Sequence, residues 1–130
     1  MTAFPTRAAL AVPFGGLLLI AASLPAAAAG DAAAGKSVFQ NVCSICHSVN
    51  PGQNKIGPSL FGVVGRKTGS VPGYSYSAAN EKADITWTEA NLDKYLEAPR
   101  AMIPGTKMTY GGLKDPEKRA NLIAYLATLK

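Results

Sequence analysis

Histidine is almost missing from this chain and cysteine is scarce: one histidine and two cysteines in 130 residues. Two thiols as close as Cys43 and Cys46 exclude the disulfide scaffold of small secreted domains. With one imidazole and two thiols there is no four-ligand His/Cys set for a structural zinc site. Runs of like charge are absent too. Thirteen Lys plus Arg against eight Asp plus Glu give a net +5 spread along the chain, which argues against a nucleic-acid arm and suits a basic face meeting an acidic partner. Alternating apolar and polar runs bounded by turns do not occur after Gly30, nor do internal repeats. A sheet of the kind that surrounds a thioredoxin-type dithiol therefore has no support. The length is that of one domain.

What is present falls into two unequal parts. Between Arg7 and Asp31 no residue is charged, and Leu17, Leu18, Leu19 and Ile20 are followed by Pro25 and Ala26 to Ala29. Arg7 as the n-region, the apolar centre and an A-x-A-like site at Ala27 to Ala29 predict a cleaved secretory signal peptide over residues 1–29, hence export to the periplasm. A retained membrane anchor is the competing reading, since the stretch is long enough to span a bilayer. Pro13, Gly15 and Gly16 interrupt it, however, and no long polar linker follows Ala29, so no permanent anchor is expected.

Residues 30–130 form the second part, with helical periodicity and an all-α expectation. One helix is predicted from about Asp31, its N-cap, to Cys43, with Gly35, Phe39 and Val42 on one face. A second is predicted to open at Thr86 with a Thr86/Glu89 capping box, to bury Leu92, Tyr95 and Leu96 and to stop before Pro99. The third takes Asp115 as N-cap and Pro116 at its first position, with Leu122, Tyr125, Leu126 and Leu129 on a stripe. Between the first two lie roughly forty residues rich in Gly, Pro, Ser and Asn, with short helical turns expected near Leu60 and Ala78. So much irregular chain needs another organiser in a compact domain, and a buried prosthetic group would supply it.

Cys43-Ser44-Ile45-Cys46-His47 is the C-x-x-C-H pattern of covalent c-type haem attachment. Thiols three positions apart share one side of a helical turn, so both can form thioethers to one edge of a porphyrin, and His47 is carried toward the iron. No second imidazole is available as a sixth ligand. Met102 and Met108 are the methionines after the leader; Met108 lies in the turn-rich Pro104-Gly105-Thr106-Lys107-Met108, whereas Met102, at a helix end, also reads as a core gap-filler. A soft thioether favours ferrous iron and raises the reduction potential.

With these residues in place, the chain from Asp31 onward resembles the class I c-type cytochromes, in particular the bacterial cytochrome c2 and mitochondrial-type group. The resemblance extends through Gly57-Pro58-Ser59-Leu60, Gly65-Arg66-Lys67-Thr68-Gly69, Pro72-Gly73-Tyr74-Ser75-Tyr76, Asn80, Ile85-Thr86-Trp87, Tyr95-Leu96, the Met108 loop and Leu122-Ile123-Ala124-Tyr125-Leu126. It implies three main helices plus short turns and long loops wrapped around one covalent haem c, with His47 and Met108 as axial ligands. Pro58 would accept the other N–H of His47. Arg66, Tyr76 and Trp87 would surround one buried haem propionate and Thr106 the other, because buried carboxylates need such donors. Tyr95 and Asn80 would form a polar network on the Met108 side, and Gly35 and Phe39 would meet Leu122 and Tyr125 at a helix crossing. Tyr110 and Met102 depart from the family's usual residues, Phe and an aromatic respectively. Lys55, Arg100, Lys107 and Lys114 match the family's basic rim, while Val42 and Ala101 are apolar where lysines are common.

The function implied is that of a soluble, monomeric one-electron carrier between respiratory or photosynthetic redox complexes, docking through its basic face and having no enzymatic activity. The cytochrome subunit of a periplasmic dehydrogenase is the alternative. A haem peroxidase is a further one, for which the distal acid/base residue is lacking.

Overall fold

The computed structural model describes residues 30–130. The signal peptide expected over residues 1–29 lies outside the described residues. Five helices follow in order: α1 (Ala32–Val38), α2 (Ala78–Lys82), α3 (Glu89–Glu97), α4 (Pro99–Met102) and α5 (Pro116–Ala127). Strand pairing among the described residues is limited to one isolated antiparallel bridge, Lys67 with Thr86.

Asp31 caps α1 as its sequence position predicts, its carboxylate accepting from the amides of Ala33 and Ala34 at 2.8 and 3.1 Å. Such a cap stabilises a helix by about 1 kcal/mol. The helix does not run on to Cys43 in α-helical register. Over Phe39–Cys43 it widens into a π-turn, closed by the Ser44 amide bonding the Phe39 carbonyl at 3.0 Å. Gly35 and Phe39 face the interior as predicted, but Val42 does not join them: the wider turn carries it off that face, leaving it 41% exposed.

The start of α3 also differs from the sequence expectation. Thr88, not Thr86, is the N-cap, its Oγ1 accepting from the Asn91 amide at 3.1 Å. The reason lies in Trp87, whose backbone is tied to the preceding loop: Gly65 N–H donates to the Trp87 carbonyl and Trp87 N–H to the Arg66 carbonyl, both at 2.8 Å. Chain held in that extended pairing starts its helix only afterwards. Pro99 ends α3 and then serves as the first residue of α4, an extra turn that periodicity did not announce. The turn expected near Ala78 is α2; near Leu60 there is a turn but no helix.

α5 begins as predicted, with Asp115 accepting from the amides of Glu117 and Lys118 and Pro116 where its missing N–H costs nothing. It buries Leu122, Ile123 and Leu126 and crosses α1 closely. A Cβ on Gly35 would stand 1.8 Å from the Asn121 carbonyl oxygen, so only glycine fits that contact. The rings of Phe39 and Tyr125 pack at 5.8 Å, and Asn121 Oδ1 accepts the Asp31 amide at 2.7 Å.

A buried charge on α5 was not anticipated. Arg119 donates from Nε to Asp93 Oδ1 at 2.8 Å and from Nη1 to the carbonyls of Leu113 and Lys114 at 2.9 and 3.0 Å. Asp93 holds its guanidinium above the usual arginine range. One side chain thus ties α5 to α3 and to the chain just past the Met108 loop. Its spacing of three and seven from Leu122 and Leu126, on the apolar stripe, was the available signal.

Candidate functional site

The helices and loops enclose an open-mouthed cavity of about 370 Å³. Its inner wall is apolar: Leu92, Tyr95 and Leu96 from α3, Leu122 and Leu126 from α5, Val63 and Trp87. These same side chains belong to the buried core, so the core is hollow on this side.

One flank is the segment that the π-turn delivers. His47 N–H and Cys46 N–H both return to the Cys43 carbonyl, at 2.9 and 3.1 Å, which makes the tight turn that places both cysteines and His47 along the cavity. The two thiols are not bonded to each other. Burial, reinforced by Cys46, pushes the Cys43 thiol up to about 11; that is opposite to what a dithiol nucleophile needs. His47 donates from Nδ1 to the Pro58 carbonyl at 2.8 Å. This fixes the tautomer with Nε2 free to ligate, and burial holds the imidazole pKa down, in the neutral form a metal requires. Gly57 lies against the ring so closely that its Cβ would stand 2.3 Å from His47 Cε1.

The facing flank is the loop after α4. Thr106 N–H bonds the Ile103 carbonyl, and Thr106 Oγ1 pairs with the Tyr95 hydroxyl at 3.0 Å and accepts the Met108 amide at 3.3 Å. Met108 lines the cavity, whereas Met102 packs against the core outside it. Of the two methionines, only Met108 is placed to reach a group in the cavity.

Arg66, Tyr76, Asn80 and Trp87 also line the cavity. Arg66 Nη1 serves the carbonyls of Ser59 and Phe61, both at 3.0 Å, while its Nε is buried without a partner. Tyr76 accepts the Val71 amide through its phenol oxygen at 3.0 Å, which leaves its O–H to donate. An unpartnered buried guanidinium nitrogen together with a phenol O–H left to donate is an arrangement that an anionic substituent completes. Asn80 is engaged with Ser77, whose Oγ accepts its amide at 3.2 Å.

Every residue expected to hold the haem is therefore brought to this cavity: Cys43, Cys46, His47, Pro58, Arg66, Tyr76, Asn80, Trp87, Tyr95, Thr106 and Met108. The donor set fits a flat apolar group with an iron centre and acidic substituents. Groups of three or more His, Cys, Asp or Glu able to hold a bare ion do not occur among the described residues.

Residues 32–130 match the family model described as Cytochrome c. The chain belongs to the cytochrome c family. It is similar to cytochrome c2 of Rhodopila globiformis, 55% identical over 101 residues covering 78% of this chain and 95% of that one. Similarity to cytochrome c2 of Blastochloris viridis is 50% over 112 residues, 85% of this chain and 87% of the other. Among solved structures, cytochrome cH from Methylobacterium extorquens superposes with a TM-score of 0.71 at 46% identity, over 76% of this chain and 99% of its own. As a cytochrome c, the chain carries one covalently attached haem c and transfers electrons.

Of Lys55, Arg100, Lys107 and Lys114, only Lys107 lines the cavity. All three lysine ammonium groups among these reach backbone carbonyls: Lys55 that of Ser44, Lys107 that of Ser75 and Lys114 that of Glu97. Lys107 also stands 5.5 Å from the centre of the Tyr74 ring. Tyr110, half-buried, lines the cavity, as do Ile45 and Ile56, which sequence reasoning passed over and which are each 73% exposed.

Proposed function

We propose that this chain is a periplasmic one-electron shuttle, not an enzyme, whose leader of residues 1–29 is removed to leave the haem domain at 30–130. The observation that carries the reading is the convergence of both thiols, His47 and Met108 on a single apolar cavity. Bound there, haem c supplies the ferrous/ferric couple. Cys43 and Cys46 would hold it as thioethers, and His47 and Met108 would ligate its iron. Pro58 orients the His47 ring and increases its basicity through the Nδ1 hydrogen bond. Arg66, Tyr76 and Trp87 would meet one acidic substituent and Thr106 the other, while Tyr95, bonded to Thr106, and Asn80 line the Met108 side. The apolar wall excludes water, so the charge change occurs where little solvent must reorganise. Lys55, Arg100, Lys107 and Lys114 guide approach to redox partners through long-range attraction that salt screens, and the carrier works as a monomer.

Export is read from the leader of residues 1–29; among the described residues no helix is long and apolar enough to cross a membrane. Peroxidase chemistry finds no second histidine and no carboxylate in the cavity lining. A spectroelectrochemical titration tests the proposal: a single reversible one-electron wave with negligible peroxide turnover is expected. An irreversible couple, or turnover of peroxide, would overturn it.

A further inference from the structure

We infer that Arg119 is a positioning residue for Met108: its guanidinium pins the far end of the ligand loop and so keeps the thioether in the cavity against displacement by small ligands. The inference rests on the reading of Met108 as an iron ligand and deepens it, because Arg119 itself lies outside the cavity lining. The near end of the loop is fixed inside the site. Thr106 pairs with the Tyr95 hydroxyl and accepts the Met108 amide. Beyond Met108 that support stops: from Thr109 to Gly112 no backbone amide donates to another described residue. Such a stretch keeps its course only if its far end is held.

The far end is held by α3 and α5 together. Leu113 N–H donates to the Leu96 carbonyl at 2.7 Å, and Lys114 Nζ reaches the Glu97 carbonyl. Gly112 passes so near that its Cβ would stand 2.1 Å from that same oxygen. Arg119 closes this joint from the other side. Its Nη1 serves the consecutive carbonyls of Leu113 and Lys114, at 2.9 and 3.0 Å, and two carbonyls converging on one nitrogen bend the chain round the guanidinium. Asp93 fixes the guanidinium in turn, accepting from Nε at 2.8 Å. With 6% of its surface exposed, Arg119 has little water to replace a lost partner, so these act as buried, charge-assisted bonds. Because Tyr95 and Leu96 are neighbours on α3, both ends of the loop are referred to one helix. Met108 is suspended between them.

The test is displacement of Met108 by imidazole in haem-loaded ferric protein, read as loss of the weak red band of sulfur ligation. Apparent imidazole affinity scales with the fraction of molecules whose loop is open. Arg119→Met is expected to raise it about tenfold, the worth of one charge-assisted hydrogen bond, and to speed hydrogen exchange at the Met108 and Leu113 amides. Arg119→Lys keeps a cation beside Asp93 but offers one head to three acceptors. It should fall between Arg119→Met and the parent, and it carries the test if Arg119→Met does not fold. Tyr125→Ala is the comparison for overall stability alone. It empties the ring contact with Phe39 at the α1/α5 crossing, and its imidazole affinity should stay within about twofold of the parent's. Parental affinity in the Arg119 variants would overturn the inference. So would an equal rise in Tyr125→Ala, which would assign the effect to stability instead of the anchor. A parent lacking the sulfur band would overturn the ligand reading itself, and the role of Arg119 with it.

Discussion

The two halves of this molecule are held by different physics. Where α1 crosses α5, apolar surfaces meet directly: Gly35 against Asn121, Phe39 against Tyr125, with Leu122 almost wholly buried beneath. The loop half, residues 48–77, buries few apolar side chains and is tethered largely by polar ones. Ser59 Oγ donates to the Asn50 carbonyl, Asn54 accepts the Ser59 amide and donates to the Pro72 carbonyl, and Arg66 holds two carbonyls. The helical half supplies the apolar core, one side of which is the cavity's inner wall; the loop half closes round that cavity with few buried apolar side chains of its own. Its stability therefore depends on what fills that cavity, and the account predicts that the halves respond unequally to perturbation.

The largest effect is expected from Cys43→Ser/Cys46→Ser, which removes covalent attachment. Mass spectrometry should find the exported chain without haem, and hydrogen exchange should show the loop half losing protection while the α1/α5 crossing keeps some of it. Equal loss in both halves would break the comparison. In haem-loaded protein, Gly35→Val strikes the crossing itself, since its Cβ would meet backbone rather than a flexible side chain. A cost on the order of 3 kcal/mol is expected in chemical denaturation. Gly52→Ala in the loop half meets open space but a φ of +69°, and should cost only about 1 kcal/mol by the same measurement.

Arg119→Met sharpens the contrast from within the helical half. It leaves the carbonyls of Leu113 and Lys114 without this donor and removes the partner of Asp93, for an expected loss of about 2 to 3 kcal/mol. The smallest effect belongs to the exposed Lys67–Asp84 pair at 2.7 Å. Lys67 lowers the Asp84 pKa, so the folded carboxyl ionises more readily than the unfolded one. Whatever the pair contributes is present above the ordinary carboxylate range and lost as pH falls through the folded value. Denaturation midpoints of the parent and Lys67→Met should accordingly differ little at neutral pH and converge in acid.

The same division governs what could be read in the sequence. Caps and stripes reveal helices that bury apolar faces, so Asp31, Asp115 with Pro116, and Leu92 to Leu96 were legible. The π-turn was not, because its wider register leaves no residue signature, and Val42 was consequently assigned to the wrong face. Thr86 misled because a T-x-x-E pattern says nothing of the tertiary pairing that keeps Trp87 extended. C-x-x-C-H announced the attachment site through covalent chemistry that needs adjacent residues. By contrast, the gathering of Arg66, Tyr76, Trp87 and Tyr95 around one cavity depends on long-range contacts, and it was legible only through resemblance to a family. The folding back of Lys55, Lys107 and Lys114 onto carbonyls left no mark in the sequence.

The central claim, that His47 and Met108 would both ligate the iron of a carrier haem, is tested most directly by visible spectroscopy. The protein would be exported from a cell with haem-maturation machinery and measured ferric and ferrous, with and without carbon monoxide, beside Met108→Ala. The account predicts a low-spin parent bearing the weak red ferric band of sulfur ligation and unmoved by carbon monoxide, and a variant that binds the gas at a lowered potential. A high-spin parent that shifts with carbon monoxide, or a variant indistinguishable from it, would contradict the account.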